Sequence, residues 1–172
     1  MPLPLLLPDA PPPQQAEVAL LQTVESGRSP SGGFYAWFGV EAPVEAVYAV
    51  LSDHAGMSGW IPRLSKSELL SSEGDCGKVA FAVPSPIGLV EYTLNRCAKG
   101  SNIWWELAEG SRFEQVRGAY ALKPVPGGTL VCYWALVVAA IPVPASAQAE
   151  IARIGVGDLV EGLRKEVARR GH

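Results

Sequence analysis

Ala42-Pro43-Val44-Glu45-Ala46-Val47-Tyr48-Ala49-Val50-Leu51-Ser52-Asp53, with Gly59-Trp60-Ile61-Pro62 close behind, is the stretch that decides the fold of this chain. Pro43 stands where a helix tolerates proline, in its first turn, because the missing N–H would have no partner there. Val44, Val47, Tyr48 and Leu51 recur at helical spacing, so a short helix with one buried face is expected. A break follows, and a weaker second helix is expected around Ala55 to Trp60.

On the N-terminal side, Glu17 to Glu25 reads as a strand, with Val18, Leu20 and Val24 on one alternating face. Gly27-Arg28-Ser29-Pro30-Ser31-Gly32-Gly33 has turn composition. Phe34 to Val40 reads as a second, aromatic-rich strand, so a hairpin should precede the helix. On the C-terminal side come strand-like runs at near-regular spacing. They are Ser65 to Ser72, Gly77 to Val83 (stopped by Pro84 and Pro86), Leu89 to Ala98, Asn102 to Leu107, Phe113 to Leu122 and Thr129 to Val138. Pro124-Val125-Pro126-Gly127-Gly128 joins the last two as a hairpin loop. The pattern predicts an antiparallel meander rather than βαβ units.

One helix, Ala145 to Arg170, fills the last part of the chain. Ala152, Val156, Leu159, Val160, Leu163 and Val167 form its apolar stripe, and Glu161, Arg164, Lys165 and Arg169 its wet side. The cluster Arg164, Lys165, Arg169 and Arg170 reads as a solvated helix end that complements the helix dipole. Gly155 and Gly157 lie inside this helix, each costing about 1 kcal/mol relative to alanine. Two explanations stand open: close packing of helix on sheet, or volume left beneath the helix for a ligand.

The chain has 172 residues, of which 48% are hydrophobic, and a net charge of −3. That supports a single folded domain, expected over residues 16–172, and argues against a nucleic-acid partner. Residues 1–15 read as a disordered, proline-rich tail. Leu5-Leu6-Leu7 has no basic residue before it and is hemmed by prolines, unlike a signal peptide. No run approaches about 20 uninterrupted apolar residues, so stable membrane insertion is not expected. Cys76, Cys97 and Cys132 are odd in number and form no CxxC motif. They read as free, buried thiols of a reducing, cytoplasmic compartment. Two histidines, one of them the last residue, give no metal site. The absence of a P-loop and of GxGxxG leaves no cofactor to expect.

Read in order, four phrases carry a resemblance that spans Glu17 to Arg169. Val40 to Tyr48 resembles a strand-to-helix entry, and Asp53 to Pro62 a second-helix segment. Ile103-Trp104-Trp105 with Gly118-Ala119-Tyr120-Ala121-Leu122-Lys123-Pro124 resembles central strands. Gly127-Gly128-Thr129-Leu130-Val131-Cys132-Tyr133 resembles a last hairpin. The family they resemble is the helix-grip superfamily of START lipid-transfer domains, polyketide cyclases and aromatases, coenzyme Q-binding proteins and plant pathogenesis-related allergens. The resemblance implies an α+β helix-grip fold, in which a curved antiparallel sheet of six to seven strands wraps around a long C-terminal helix. Two short helices follow the first strands. It also implies an apolar cavity between sheet and helix, and no shared catalytic residue.

The residues themselves assign no catalytic group. Ser52-Asp53-His54 is contiguous, which rarely makes a triad, and no GxSxG is present. Candidate ligand-binding residues are Trp60, Tyr92, Trp105, Tyr120 and Tyr133, which combine apolar rings with polar tips. Arg96, on the face of Val90, Tyr92 and Leu94, joins them. Glu114, in phase with Val116, Gly118 and Tyr120, and Gly155 complete the set. Between Tyr133 and Trp134 the pattern does not choose, since both faces of Leu130 to Val138 are apolar. The expected function is binding or transfer of a small hydrophobic ligand, such as a lipid, quinone or polyketide, gated by the last helix or by Ala82 to Gly88. The alternatives are a cyclase/aromatase-type enzyme using the same cavity and a ligand-free module for a protein partner.

Overall fold

Pro43 is the N-cap of the first helix, α1 (Val44–Leu51), and holds an extended conformation that the following residues leave for the helix. The buried face is Ala46, Val47, Val50 and Leu51. Val44 and Tyr48 pack only at its margin, so the stripe is rotated from the expected one. The computed structural model to which α1 belongs describes residues 10–30, 32–85 and 88–171. A 3-10 turn, His54–Gly59, stands where the second helix was expected, N-capped by the Asp53 side chain, which accepts from the Gly56 N–H.

Among the described residues eight strands form one antiparallel sheet, against the six to seven expected. They are β1 (Val24–Arg28), β2 (Phe34–Val40), β3 (Lys66–Glu73), β4 (Cys76–Ser85), β5 (Gly88–Lys99), β6 (Asn102–Glu109), β7 (Phe113–Val125) and β8 (Gly128–Ala139). The spatial order is β1-β2-β8-β7-β6-β5-β4-β3. The meander from β3 to β8 is therefore closed by β2, which pairs with β8 across the whole intervening chain. The second helix, α2 (Ala145–Arg169), lies against this sheet.

The first strand is shorter and later than expected. Glu17 to Thr23 is not strand: a 3-10 turn, Ala19–Leu21, buries Leu20 and Leu21. Arg164 explains the change. It donates to the carbonyls of Leu20, Thr23 and Gly39, so it clips this segment to the sheet instead of lying on the wet face of α2. Residues 10–15 of the expected disordered tail are docked as well. Ala10 is buried, the Trp37 indole donates to the Pro11 carbonyl, and the N–H groups of Gln14 and Gln15 donate to Glu25. Residues 1–9 of that tail lie outside the described residues, as do Pro86 and Ile87 of the expected gate.

Helix α2 buries no side chain before Val156; from there Leu159, Val160, Leu163, Glu166 and Val167 are buried as well. Gly162 is where it comes closest: a Cβ there would sit 2.4 Å from the Trp60 carbonyl oxygen. Gly155 and Gly157 are unlike it, since a Cβ at either would meet no atom within 4 Å. Close packing therefore does not account for those two glycines. The basic end of α2 is only partly solvated. Glu166, buried, pairs with Arg169 and Arg170, and Arg170 reaches Asp53. The expected set of three free thiols is also corrected. Cys76 and Cys97 are directly opposed on β4 and β5 and form a disulfide, which leaves Cys132 free and buried. Their cross-strand pairing, invisible in sequence spacing, brings them together.

Candidate ligand-binding cavity

Below the middle of α2, at Gly155 and Leu159, lies a cavity of about 330 Å³. That is the small end of the range for ligand sites, roughly 300–1,000 Å³. Alternation along the strands builds its wall. Phe81 and Val83 enter from β4, Tyr92, Leu94 and Arg96 from β5, Trp105 from β6, Phe113, Val116 and Tyr120 from β7, and Tyr133, Ala135 and Val137 from β8. Met57, Ile61, Arg63 and Leu64 close one end, and Gly155 and Leu159 of α2 form the roof. Val137 and Gly155 are solvent-exposed, so the mouth lies between the end of β8 and the unseated half of α2. Arg63 spans from the rim to Asp158 of α2 with an ion pair of 3.3 Å.

Two aromatic groups shape the interior. Trp105, Tyr120 and Tyr133 pack with ring centroids 5.2, 5.4 and 6.2 Å apart. Tyr92 stacks on Phe81 at 5.5 Å and meets the edge of Phe113 at 5.3 Å. Trp105 can lie where it does because its cross-strand partner is Gly118, whose missing Cβ would fall 2.3 Å from the indole ring. Burial pushes the phenols of Tyr92 and Tyr120 up to about 12, and Tyr133 higher still. All three therefore stay neutral and remain hydrogen-bond donors at physiological pH.

Whereas Arg63 stands at the exposed rim, Arg96 is the buried charge in this largely apolar wall. It is 1% exposed, yet among the described residues no carboxylate forms an ion pair with it. Its Nη1 donates to the Leu51 carbonyl at 2.8 Å and meets Nδ1 of His54 at 2.8 Å. Leu51 ends α1, so the guanidinium sits at the negative end of that helix dipole. The Trp105 ring, 5.8 Å from Cζ, offers its π face. Burial lowers the Arg96 pKa to about 10, which leaves it charged. Its Nη2 is buried and has no partner among the described residues. A buried cationic donor without a partner costs on the order of 1–3 kcal/mol or more, and a ligand oxygen at Nη2 would recover that cost.

Of the residues singled out from sequence, Tyr92, Arg96, Trp105, Tyr120, Tyr133 and Gly155 line this one cavity. Two do not. Trp60 is buried in the main core against Gly162 instead of in the cavity wall, with its indole Nε1 unpartnered. Glu114 is exposed, because a bulge between Phe113 and Gln115 adds one residue to β7 and puts Phe113 on the inner face in its place. Tyr133 points inward and Trp134 outward, where its indole donates to the Gly32 carbonyl. Phe81, Leu94 and Val116 were missed although strand alternation could have found them. His54 and the Leu51 carbonyl were missed because only the tertiary fold brings them to Arg96.

A family model described as polyketide cyclase / dehydrase and lipid transport matches residues 38–170. Solved structures share the fold. One is a protein of Thermus thermophilus, at 19% identity and TM-score 0.70, covering 80% of this chain and 98% of that one. A START superfamily protein from Mycobacterium smegmatis matches at 18% identity and TM-score 0.70, covering 85% and 97%. The Zhui aromatase/cyclase from Streptomyces sp. R1128 matches at 16% identity and TM-score 0.71, covering 87% and 96%. No curated protein matches the sequence significantly.

Proposed function

This chain belongs to the polyketide cyclase / dehydrase and lipid transport family, and from that premise we propose that its cavity binds a small, mainly apolar ligand that presents an oxygen to Arg96. The observation that carries the proposal is the buried, unpartnered Nη2 in an otherwise apolar wall. Apolar surface drives the ligand in, at about 25 cal/mol per Å² buried. The guanidinium then fixes which end enters first, and the three neutral phenols offer further donors. A cavity of about 330 Å³ suits a compact ring system or a short chain better than a two-chain lipid.

The gate in this proposal is the start of α2, residues 145–155, which buries no side chain, together with the rim pair Arg63–Asp158. An exposed ion pair contributes about 0–1 kcal/mol, weak enough to open with each ligand. Among the described residues, no helix is long and apolar enough to cross a membrane. The Cys76–Cys97 bond bears on the compartment: its persistence in cells would support an oxidising space, and a reduced pair would support the cytoplasm expected from the sequence.

A cyclase/aromatase activity is the second reading. Arg96, with the three phenols in the same lining, would polarise a ligand carbonyl, which favours it. The lining described holds no carboxylate or histidine to move a proton, which is why binding stands first. Native mass spectrometry of the purified protein, followed by organic extraction, separates the outcomes. An apolar, oxygen-bearing molecule at one per chain supports binding. Release of a ring-closed product from an added linear poly-ketone chain supports the enzyme. A cavity that takes up no apolar molecule at any concentration overturns both.

A further inference from the structure

Arg96 can orient a ligand only if something orients Arg96, and the residue in place to do so is His54. We infer that His54 is a positioning residue for the cavity: its Nδ1 holds the Arg96 guanidinium so that Nη2 is the edge kept for the ligand. The inference rests on the binding reading given above.

Both partners of Nη1 come from the α1 end of the molecule. The Leu51 carbonyl takes one N–H and His54 Nδ1 takes the other, each at 2.8 Å. Nη1 has two hydrogens, and both are spent on these contacts. Nη2 carries two of its own, and among the described residues they have no partner. The carbonyl alone would leave the planar group with one hydrogen bond and the Trp105 face, which do not fix its rotation in its own plane. A second, fixed acceptor defines its plane.

His54 accepts at Nδ1 only when neutral and protonated on Nε2. Its surroundings enforce that state. Burial first, and the adjacent Arg96 charge second, lower its pKa to about 4, while Asp53 opposes them. Ser52, Asp53 and His54 thus share one junction with separate tasks. The Ser52 hydroxyl donates to the Tyr48 carbonyl, and Asp53 caps the 3-10 turn and meets Arg170. Those two contacts fix the start of the turn that carries His54.

The test compares two dyes of nearly the same shape. One, 1-anilinonaphthalene-8-sulfonate, carries an anionic head, and the other, N-phenyl-1-naphthylamine, does not. Dissociation constants of both are measured for wild type, His54→Ala, His54→Gln and Arg96→Met. His54→Ala should weaken the sulfonate dye by about tenfold and leave the neutral dye unchanged. His54→Gln, whose amide oxygen can accept, should recover part of the loss. Equal loss of both dyes in His54→Ala would mean that His54 only supports the fold, and would overturn the inference. So would wild-type affinity for both dyes in His54→Ala, while selective loss in Arg96→Met kept the binding reading intact. A wild-type protein that takes up neither dye would overturn the binding reading, and the inference with it.

Discussion

Replacing Gly155 by leucine should make the protein more stable and a worse binder. Gly155 lies inside α2 and on the cavity roof, and a Cβ there meets no atom within 4 Å. Leucine is a far better helix former than glycine, by about 0.8 kcal/mol. For a domain of this size that gain raises Tm by roughly 1.5–3 °C. The same side chain enters the mouth and takes volume from the ligand. If it displaces three ligand methylenes at about 0.8 kcal/mol each, affinity falls by about 2.4 kcal/mol, or roughly fiftyfold. Calorimetric melting and titration with N-phenyl-1-naphthylamine read the two effects separately. Gly157→Ala is the control, since its Cβ also meets open space but the residue does not line the cavity. It should gain about 1 kcal/mol and bind normally. A Gly155→Leu protein that melts lower, or that binds the dye as wild type does, would refute this account of the glycine.

Other outcomes follow from the same geometry. Gly118→Ala should destabilise by about 1–3 kcal/mol and shift tryptophan emission, because its Cβ would meet the Trp105 ring at 2.3 Å and the Trp134 carbonyl oxygen at 2.7 Å; unchanged denaturant unfolding would contradict that contact. His54 gives the stability curve a definite sign. Its folded pKa of about 4 lies below its ordinary 6.5, so between these values the unfolded chain holds a proton the folded one lacks. Stability should therefore decline as pH falls from about 6.5 to about 4, and His54→Gln should flatten that slope in urea titrations. Reduction of the Cys76–Cys97 bond, whose separation is 21 residues, should cost about 3 kcal/mol in urea unfolding with and without dithiothreitol. Equal curves would mean the pair is already reduced in the purified protein.

The sequence carried the outline of the fold because its signals are local. The α1 phrase, the meander and the stripe of α2 each follow from spacing, and their boundaries fall within a few residues of those observed. The errors arise where tertiary contact overrides local pattern. Glu17 to Thr23 alternates like a strand, yet two bonds from Arg164, to the carbonyls of Leu20 and Thr23, hold it otherwise while a third ties the same side chain to Gly39 of β2. One bulged residue in β7 turned Glu114 out and Phe113 in, because a strand's facing depends on every residue counted before it. Arg96 stood out as a charge on an apolar face. Its partners did not, since Leu51 contributes a backbone atom and His54 lies 42 residues away in sequence. The disulfide was hidden for the same reason: two cysteines 21 residues apart signal nothing until β4 and β5 are paired in register.

The central claim is that a buried guanidinium in an apolar cavity receives the polar end of a small ligand. A crystal structure of the protein soaked with 1-anilinonaphthalene-8-sulfonate tests it most directly. The account predicts one dye per chain, its rings between Trp105 and Tyr92 and a sulfonate oxygen within hydrogen-bond reach of Arg96 Nη2. A dye held only on the outer surface, or seated in the cavity with its sulfonate turned toward the mouth, would contradict it.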